Sequence, residues 1–400
     1  MENENSNQYG TIEIIAAFCI TGMIYMASFA GPVAAQIMNA FAFEASDYKT
    51  INTIPSLMMV VLSLVSGSLT SKYPIKKIVG FAAIFLTVGG LIPVFTTSKT
   101  MYIASKVIFG VGHGLIFPMA SAIINALFKG EQKDKLMGIR AGVGALMGAG
   151  YTTVAGFVGK SGGYRAALAC TAIAIPLALF ILWKCPTNEL VAKSKKVEGG
   201  AGEKKLTGRS YLLFFFMFIY NMMSMALLAN LTLYMSGENL ADTGVIGTIT
   251  SMNTYLAFVA GLIFAKVKKV LGRYTTSLAF ICVSISFLIL TNCTSIPLFY
   301  VAVAINGLGF GLYNPSITLA VAQSAADPKY GALAISGYTS AIGIGQFLSA
   351  KVLKFINDNW CHIESRADWK IARWPVFAIA IGSVIFIALT GGKDGKKKNA

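Results

Sequence analysis

Lys106, His113, Arg140, Lys351 and Lys354 fall inside long apolar stretches of this 400-residue sequence. Between Asp47 and the C-terminal tail, every Asp and Glu lies in a loop or at the end of such a stretch, and Glu13 opens the first one. A charge held in an apolar medium is costly, so such groups are functional candidates by default. Cationic groups without carboxylates beside them favour a negatively charged ligand. Lys351 and Lys354 stand near the end of their stretch and have the reach to extend to a surface. Arg140 fits either an anion site or a belt of surface charge. Lys106 fits ligand contact, gating or packing. His113 lies among glycines and either hydrogen-bonds a neighbouring helix or exchanges a proton near neutral pH, which makes it the proton-coupling candidate.

A set of uncharged polar residues occupies the middle of other apolar stretches: Tyr25, then Tyr220, Asn221 and Ser224, then Asn253 and Tyr255, then Asn306, Tyr313 and Asn314, and finally Gln346. Asn306 and Tyr313 are seven apart and share a helix face. Asn and Gln in such places either contact a solute or join helices by hydrogen bonds. Tyr25, Lys106, His113, Arg140, Tyr220, Asn221, Asn253, Asn306, Tyr313, Asn314 and Gln346 form the candidate solute-binding set. Gly110 with Gly114, Gly144 with Gly148, and Gly307 with Gly311 are each four apart, a spacing that lets helix backbones approach closely.

Other chemistries find no support. Gly159-Lys160-Ser161 resembles the end of a phosphate loop, but Val154 stands where the first glycine belongs. There are two histidines, His113 and His362, too few for a histidine metal site. The six cysteines, Cys19, Cys170, Cys185, Cys282, Cys293 and Cys361, form no CxxC pair. No hydrolytic triad is present, so neither an enzyme nor a cofactor is expected. Without an ATP-binding motif, any work must draw on an ion or solute gradient.

The elements that position these residues follow from composition. Hydrophobic residues make up 55% of the chain and charged residues 12%, against about 25% charged in a soluble domain. A helix crosses the hydrocarbon core with about 20 apolar residues. Spans are predicted at 11–40, 50–70, 78–97, 102–128, 138–159, 165–184, 210–236, 244–265, 274–292, 296–324, 331–356 and 372–391. These runs are continuous, unlike the alternating strands of a barrel. The polar start, Met1 to Gly10, has no basic region and no cleavage site follows, so the first span is expected to be retained.

The net charge of +16 is concentrated in alternate loops, which argues for membrane topology and against nucleic acid. One side carries Lys72, Lys76, Lys77, Lys129, Lys133, Lys135, Lys266, Lys268, Lys269, Arg273 and the tail lysines Lys393, Lys396, Lys397 and Lys398. The polar segment 185–209 adds Lys193, Lys195, Lys196, Lys204, Lys205 and Arg209. The opposite loops hold Lys49, Lys99, Lys160, Arg165, Arg366 and Lys370. Both termini are therefore expected in the cytoplasm of a multi-pass protein of the cell membrane. Residues 185–209 read as a cytoplasmic linker between bundles at 1–184 and 210–400.

The halves repeat one another. Gly110-Val111-Gly112-His113-Gly114-Leu115 with Pro118 returns as Gly307-Leu308-Gly309-Phe310-Gly311-Leu312 with Pro315. Gly142, Gly148 and Gly150 match Gly337, Gly343 and Gly345, and Gly67 with Lys72 matches Gly261 with Lys266. Three matches in one order argue for duplication. The loop from Gly67 through Ser71, Lys72, Lys76 and Lys77 resembles the signature loop of the major facilitator superfamily, with Ser71 where that family has an acidic residue. Lys106 to Gly112 resembles its fourth-helix motif with Lys for Arg, and Gly163-Tyr164-Arg165 its turn into the sixth helix. Gly148-Ala149-Gly150-Tyr151 lacks the proline of the proton-coupled exporters.

The resemblance implies an all-α membrane protein of twelve transmembrane helices in two pseudo-symmetric six-helix bundles. It also implies a solute site near the midplane reached by alternating access, and a gating role for the Gly67 to Lys77 loop. The expected function is secondary transport of a small organic anion by a monomer in the lipid bilayer, coupled to a proton or a counter-anion. The alternative is proton-driven export of hydrophobic or amphipathic compounds through a cavity lined by some of the 16 Met and 26 Phe. A solute sensor is a third reading.

Overall fold

The computed structural model describes residues 11–70, 73–117, 119, 130–184, 206–324 and 331–390. Expectations at Met1 to Gly10, Ser71, Lys72, Pro118, Lys129, most of the 185–209 linker and the lysine tail lie outside the described residues. The fold is all-α, as lipid demands of a spanning chain whose backbone groups must pair within each segment. The chain divides into two compact units, Met1–Gly199 and Gly200–Ala400.

In the amino-terminal unit, α1 (Thr11–Ile24) passes into a 3-10 turn at Tyr25–Ala30 and, after Gly31 and Pro32, into α2 (Ala34–Ala40). The two limbs of this first span differ in direction by 59°. Then come α3 (Ala45–Asn52), α4 (Ile54–Thr70), α5 (Ile75–Phe95) and α6 (Lys99–Ile116). Next, α7 (Gly130–Ala169) is broken by Gly163 at φ 70°, a conformation that favours glycine. This is the turn expected at Gly163-Tyr164-Arg165. A 3-10 turn at Cys170–Ile173 leads into α8 (Ala174–Lys184).

The carboxy-terminal unit begins with α9 (Gly208–Gly237), opened by a reciprocal cap between Thr207 and Ser210. It continues with α10 (Thr243–Leu271), capped by Asp242 at the Val245 amide, 3.0 Å. Then follow α11 (Thr275–Asn292), α12 (Ile296–Gln323), α13 (Gly331–Ile356) and α14 (Ala367–Thr390). Among the described residues the predicted spans fall on helix, apart from the short breaks near Gly31 and Thr53, while 118 and 120–128 of the fourth span lie outside them. Among the described residues, five continuous stretches can cross a membrane by length and hydropathy, and six if the bent first span counts. Two of them, Gly142–Lys184 and Thr243–Asn292, run to 43 and 50 residues. At ~1.5 Å per residue each is about twice the thickness of the hydrocarbon core, and each turns near a glycine, Gly163 or Gly272.

The repeat is physical as well as textual. A Cβ at Gly110 or Gly114 would strike Met58 and neighbours on α4, while one at Gly112 would strike Ala82 and Leu86 on α5. In the other unit, a Cβ at Gly307 or Gly311 would strike the carbonyls of Asn253 and Ala257 on α10, while one at Gly309 would strike Ala279 and Val283 on α11. Each triplet therefore seats one helix on two neighbours, with the middle glycine facing the second. The α7 and α13 glycines pair differently from the textual match. Gly150 faces open space, whereas Gly345 abuts the Phe218 carbonyl of α9 and Gly148 abuts the Tyr25 ring. Gly148 is thus the counterpart of Gly345, with the separation that relates Gly110 to Gly307.

Candidate functional site

The break in the first span gathers the candidate residues of the amino-terminal unit. Where α1 gives way to the 3-10 turn, the Ile24 carbonyl accepts a hydrogen bond from His113 Nε2 on α6 at 3.1 Å. Tyr25, the next residue, lies with its ring over the Cα positions of Gly144 and Gly148 on α7, where any side chain would collide with it. Arg140, one helical turn before Gly144, interacts electrostatically with Tyr25. Further along the turn, Phe29 stacks on Tyr151 of α7 at 4.7 Å between centroids. Below the bend, Gln36 Nε2 donates to the Gly159 carbonyl at 3.1 Å.

Two polar atoms here are buried without a partner: Arg140 Nε and His113 Nδ1. The His113 ring lies between Phe109 and Phe117, at 6.3 and 5.9 Å between centroids. A buried donor left unsatisfied costs about 1–3 kcal/mol, and more when charged. A guanidinium serving only to hold helices together would have that bond made.

Lys106 stands apart. It lies two turns before His113, roughly 10 Å along the helix axis, with Nζ 5.0 Å from the centroid of Tyr102. Tyr102 donates to Asn52 Oδ1 at 3.2 Å and packs among Phe41, Phe43 and Tyr48. Lys99 lies over Phe43 and Arg165 over Tyr164 at the same cluster. Of the signature loop, Lys76 and Lys77 stand in the first turn of α5, Lys77 exposed. Gly67 lies in α4, and Ser71 and Lys72 are outside the described residues.

In the carboxy-terminal unit the polar set is mostly paired within the bundle. Tyr220 and Tyr313 are 1% and 2% exposed, their tilted rings 4.0 Å apart between centroids and flanked by Phe280. The Tyr313 hydroxyl bonds Met217 Sδ. Asn221 donates to the Met217 carbonyl at 3.0 Å and accepts from Gln346 at 3.5 Å. Tyr338 donates to Asn314 at 3.1 Å. Asn253 Oδ1, Asn306 Nδ2 and Ser224 Oγ are buried without partners. Lys354 pairs with Asp358 at 2.9 Å on an exposed face, and Lys351 is exposed over Phe347, the surface placement their reach suggests.

The sequence did not point to Ile24, which contributes a backbone carbonyl. Nor did it point to Phe109 and Phe117, although their four-residue spacing on either side of His113 is readable. Arg373 also has a buried, unpartnered Nε, but it lies over Trp374, which is 63% exposed.

Comparisons with known proteins agree with this architecture. The family model described as Major Facilitator Superfamily matches residues 14–350. A mutant form of the nucleoside transporter NupG superposes with a TM-score of 0.76 at 12% identity, covering 94% of this chain and 99% of that one. A peptide transporter POT, also a mutant, gives 0.74 at 13% identity, covering 94% of each chain. A POT family transporter bound to a thioalcohol-conjugated peptide gives 0.71 at 13%, covering 95% of this chain and 96% of that one. No curated protein matches the sequence. Identities this low carry the fold alone, while the family match spans most of the chain. From the duplicated helical units, the glycine-seated crossings and that match, this multi-pass membrane transporter belongs to the major facilitator superfamily.

Proposed function

We propose that this transporter moves a small organic anion by alternating access, coupled to a proton or to a counter-anion. The observation that carries the reading is Arg140, whose Nε is buried without a partner beside Tyr25 at the break in the first span. The lack of a carboxylate in the middle of any apolar stretch supports it, because nothing fixed competes with the solute for the guanidinium. His113, with Nδ1 also unpartnered, is the group on which a proton could be taken up. Lys106 is removed from these residues and serves the outer aromatic cluster. The positive loops favour an orientation with both termini in the cytoplasm.

The protein in liposomes preloaded with unlabelled carboxylate should accumulate a labelled one. Arg140→Gln should lower that uptake at least about tenfold, as expected when a charge-assisted bond is lost. His113→Gln should abolish dependence on a pH gradient if the proton is the coupling ion. Movement of lipophilic cations alone would sink the anion reading and favour export of hydrophobic compounds.

A further inference from the structure

Resting on that reading, we propose that the anion also carries a hydrogen-bond donor, as a hydroxy acid or an amino acid does. Arg140 takes its negative end and His113 Nδ1 accepts its donor.

The argument starts from the His113 ring. A carbonyl oxygen only accepts, so the bond to the Ile24 carbonyl at 3.1 Å fixes the hydrogen on Nε2. In the neutral ring Nδ1 is then a lone-pair acceptor, and it is buried with no donor facing it. Phe109 and Phe117 flank the ring and supply none. The other ionisable groups nearby are Tyr25 at the break, Arg140 on α7 and Lys106 on the same helix as His113. Lys106 is held over Tyr102, and neither Arg140 nor Tyr25 is bonded to Nδ1.

The break thus presents one unsatisfied donor, Arg140 Nε, and one unsatisfied acceptor, His113 Nδ1. A plain carboxylate answers the first and sets lone pairs against the second. A solute with both a carboxylate and a hydroxyl or amine answers both. Sites that leave a buried polar group unpaired reject the analogue that lacks the matching group.

The purified protein in nanodiscs can be titrated calorimetrically with matched acids of two to eight carbons, with and without one hydroxyl. Propionate against lactate, butyrate against 3-hydroxybutyrate and succinate against malate are included. The hydroxylated member of at least one pair should bind about tenfold tighter or more. His113→Gln keeps an amide nitrogen for Ile24 but offers no acceptor at the Nδ1 position. It should erase the difference between the members of each pair. Equal binding within every pair, or a preference that survives in His113→Gln, would overturn the inference and leave the anion reading standing. Binding of no acid at all would end both. Should His113→Gln fail to fold, the comparison of pairs on the unmodified protein decides alone.

Discussion

The Tyr25 ring occupies the space that a side chain at residue 144 or 148 would fill. Glycine is required there to seat an aromatic ring, a tighter demand than close backbone approach in general. Gly144→Val should push the ring off α7 and separate Tyr25 from Arg140. Anion affinity should fall at least about tenfold while the protein stays folded, since overpacking costs about 1–3 kcal/mol. Calorimetry and size-exclusion chromatography, read together, check both halves of that statement. An unfolded variant would show that the glycine serves stability alone. At this scale the sequence was partly legible. Polar residues inside apolar stretches stand out, and Tyr25, His113 and Arg140 were all found that way. Their gathering was not legible, because it depends on a backbone carbonyl, that of Ile24, and on a bend in the first span. Tyr220 and Tyr313 looked equally exposed to a solute, yet Phe280 from α11 closes over them. No spacing within α9 or α12 reports that neighbour.

Among the elements, the sequence was most informative. Hydrophobic runs marked the long helices, because in lipid the only economical spanning segment is one whose backbone bonds close internally, but not the short polar α3. What the runs concealed were the breaks. The first span was expected as one helix over 11–40 and is bent at a 3-10 turn, and 50–70 contains the end of α3 as well as α4. The first span stays largely apolar across its bend, so hydropathy does not announce it. The glycine triplets, by contrast, said which helices must approach. Gly309 faces the Ala279 carbonyl of α11, so Gly309→Val should lower stability by about 1–3 kcal/mol. A thermal melt in detergent should record a clear fall in the midpoint, whereas Gly261→Val, with nothing within 4 Å, should leave it within a degree or two. Equal effects would mean that the triplet is not a packing device.

For the whole molecule, charge is the property that sets orientation in the bilayer. Cys361 is exposed, in the turn between α13 and α14, on the side that the positive loops avoid. A variant keeping Cys361 and carrying Ser at the other cysteines should react with a membrane-impermeant maleimide in intact cells. Reaction only after lysis would reverse the assigned orientation. Composition and repetition made the architecture readable at this scale. The solute was not readable there, because composition and repetition report the bundles and not the atoms left unsatisfied within them.

The alternating glycines of α6 and α12 have a mechanical consequence. Each of these helices is gripped from two sides at one level, so turning it about its own axis drives a neighbour's backbone into the chain. Torsion is blocked, and three helices in each unit behave as one solid block. In the amino-terminal unit, the first span offers a place to yield, where a turn of 3-10 geometry and a glycine–proline step interrupt the rod. The same short stretch that presents Tyr25 is therefore the one best able to yield when something is held there.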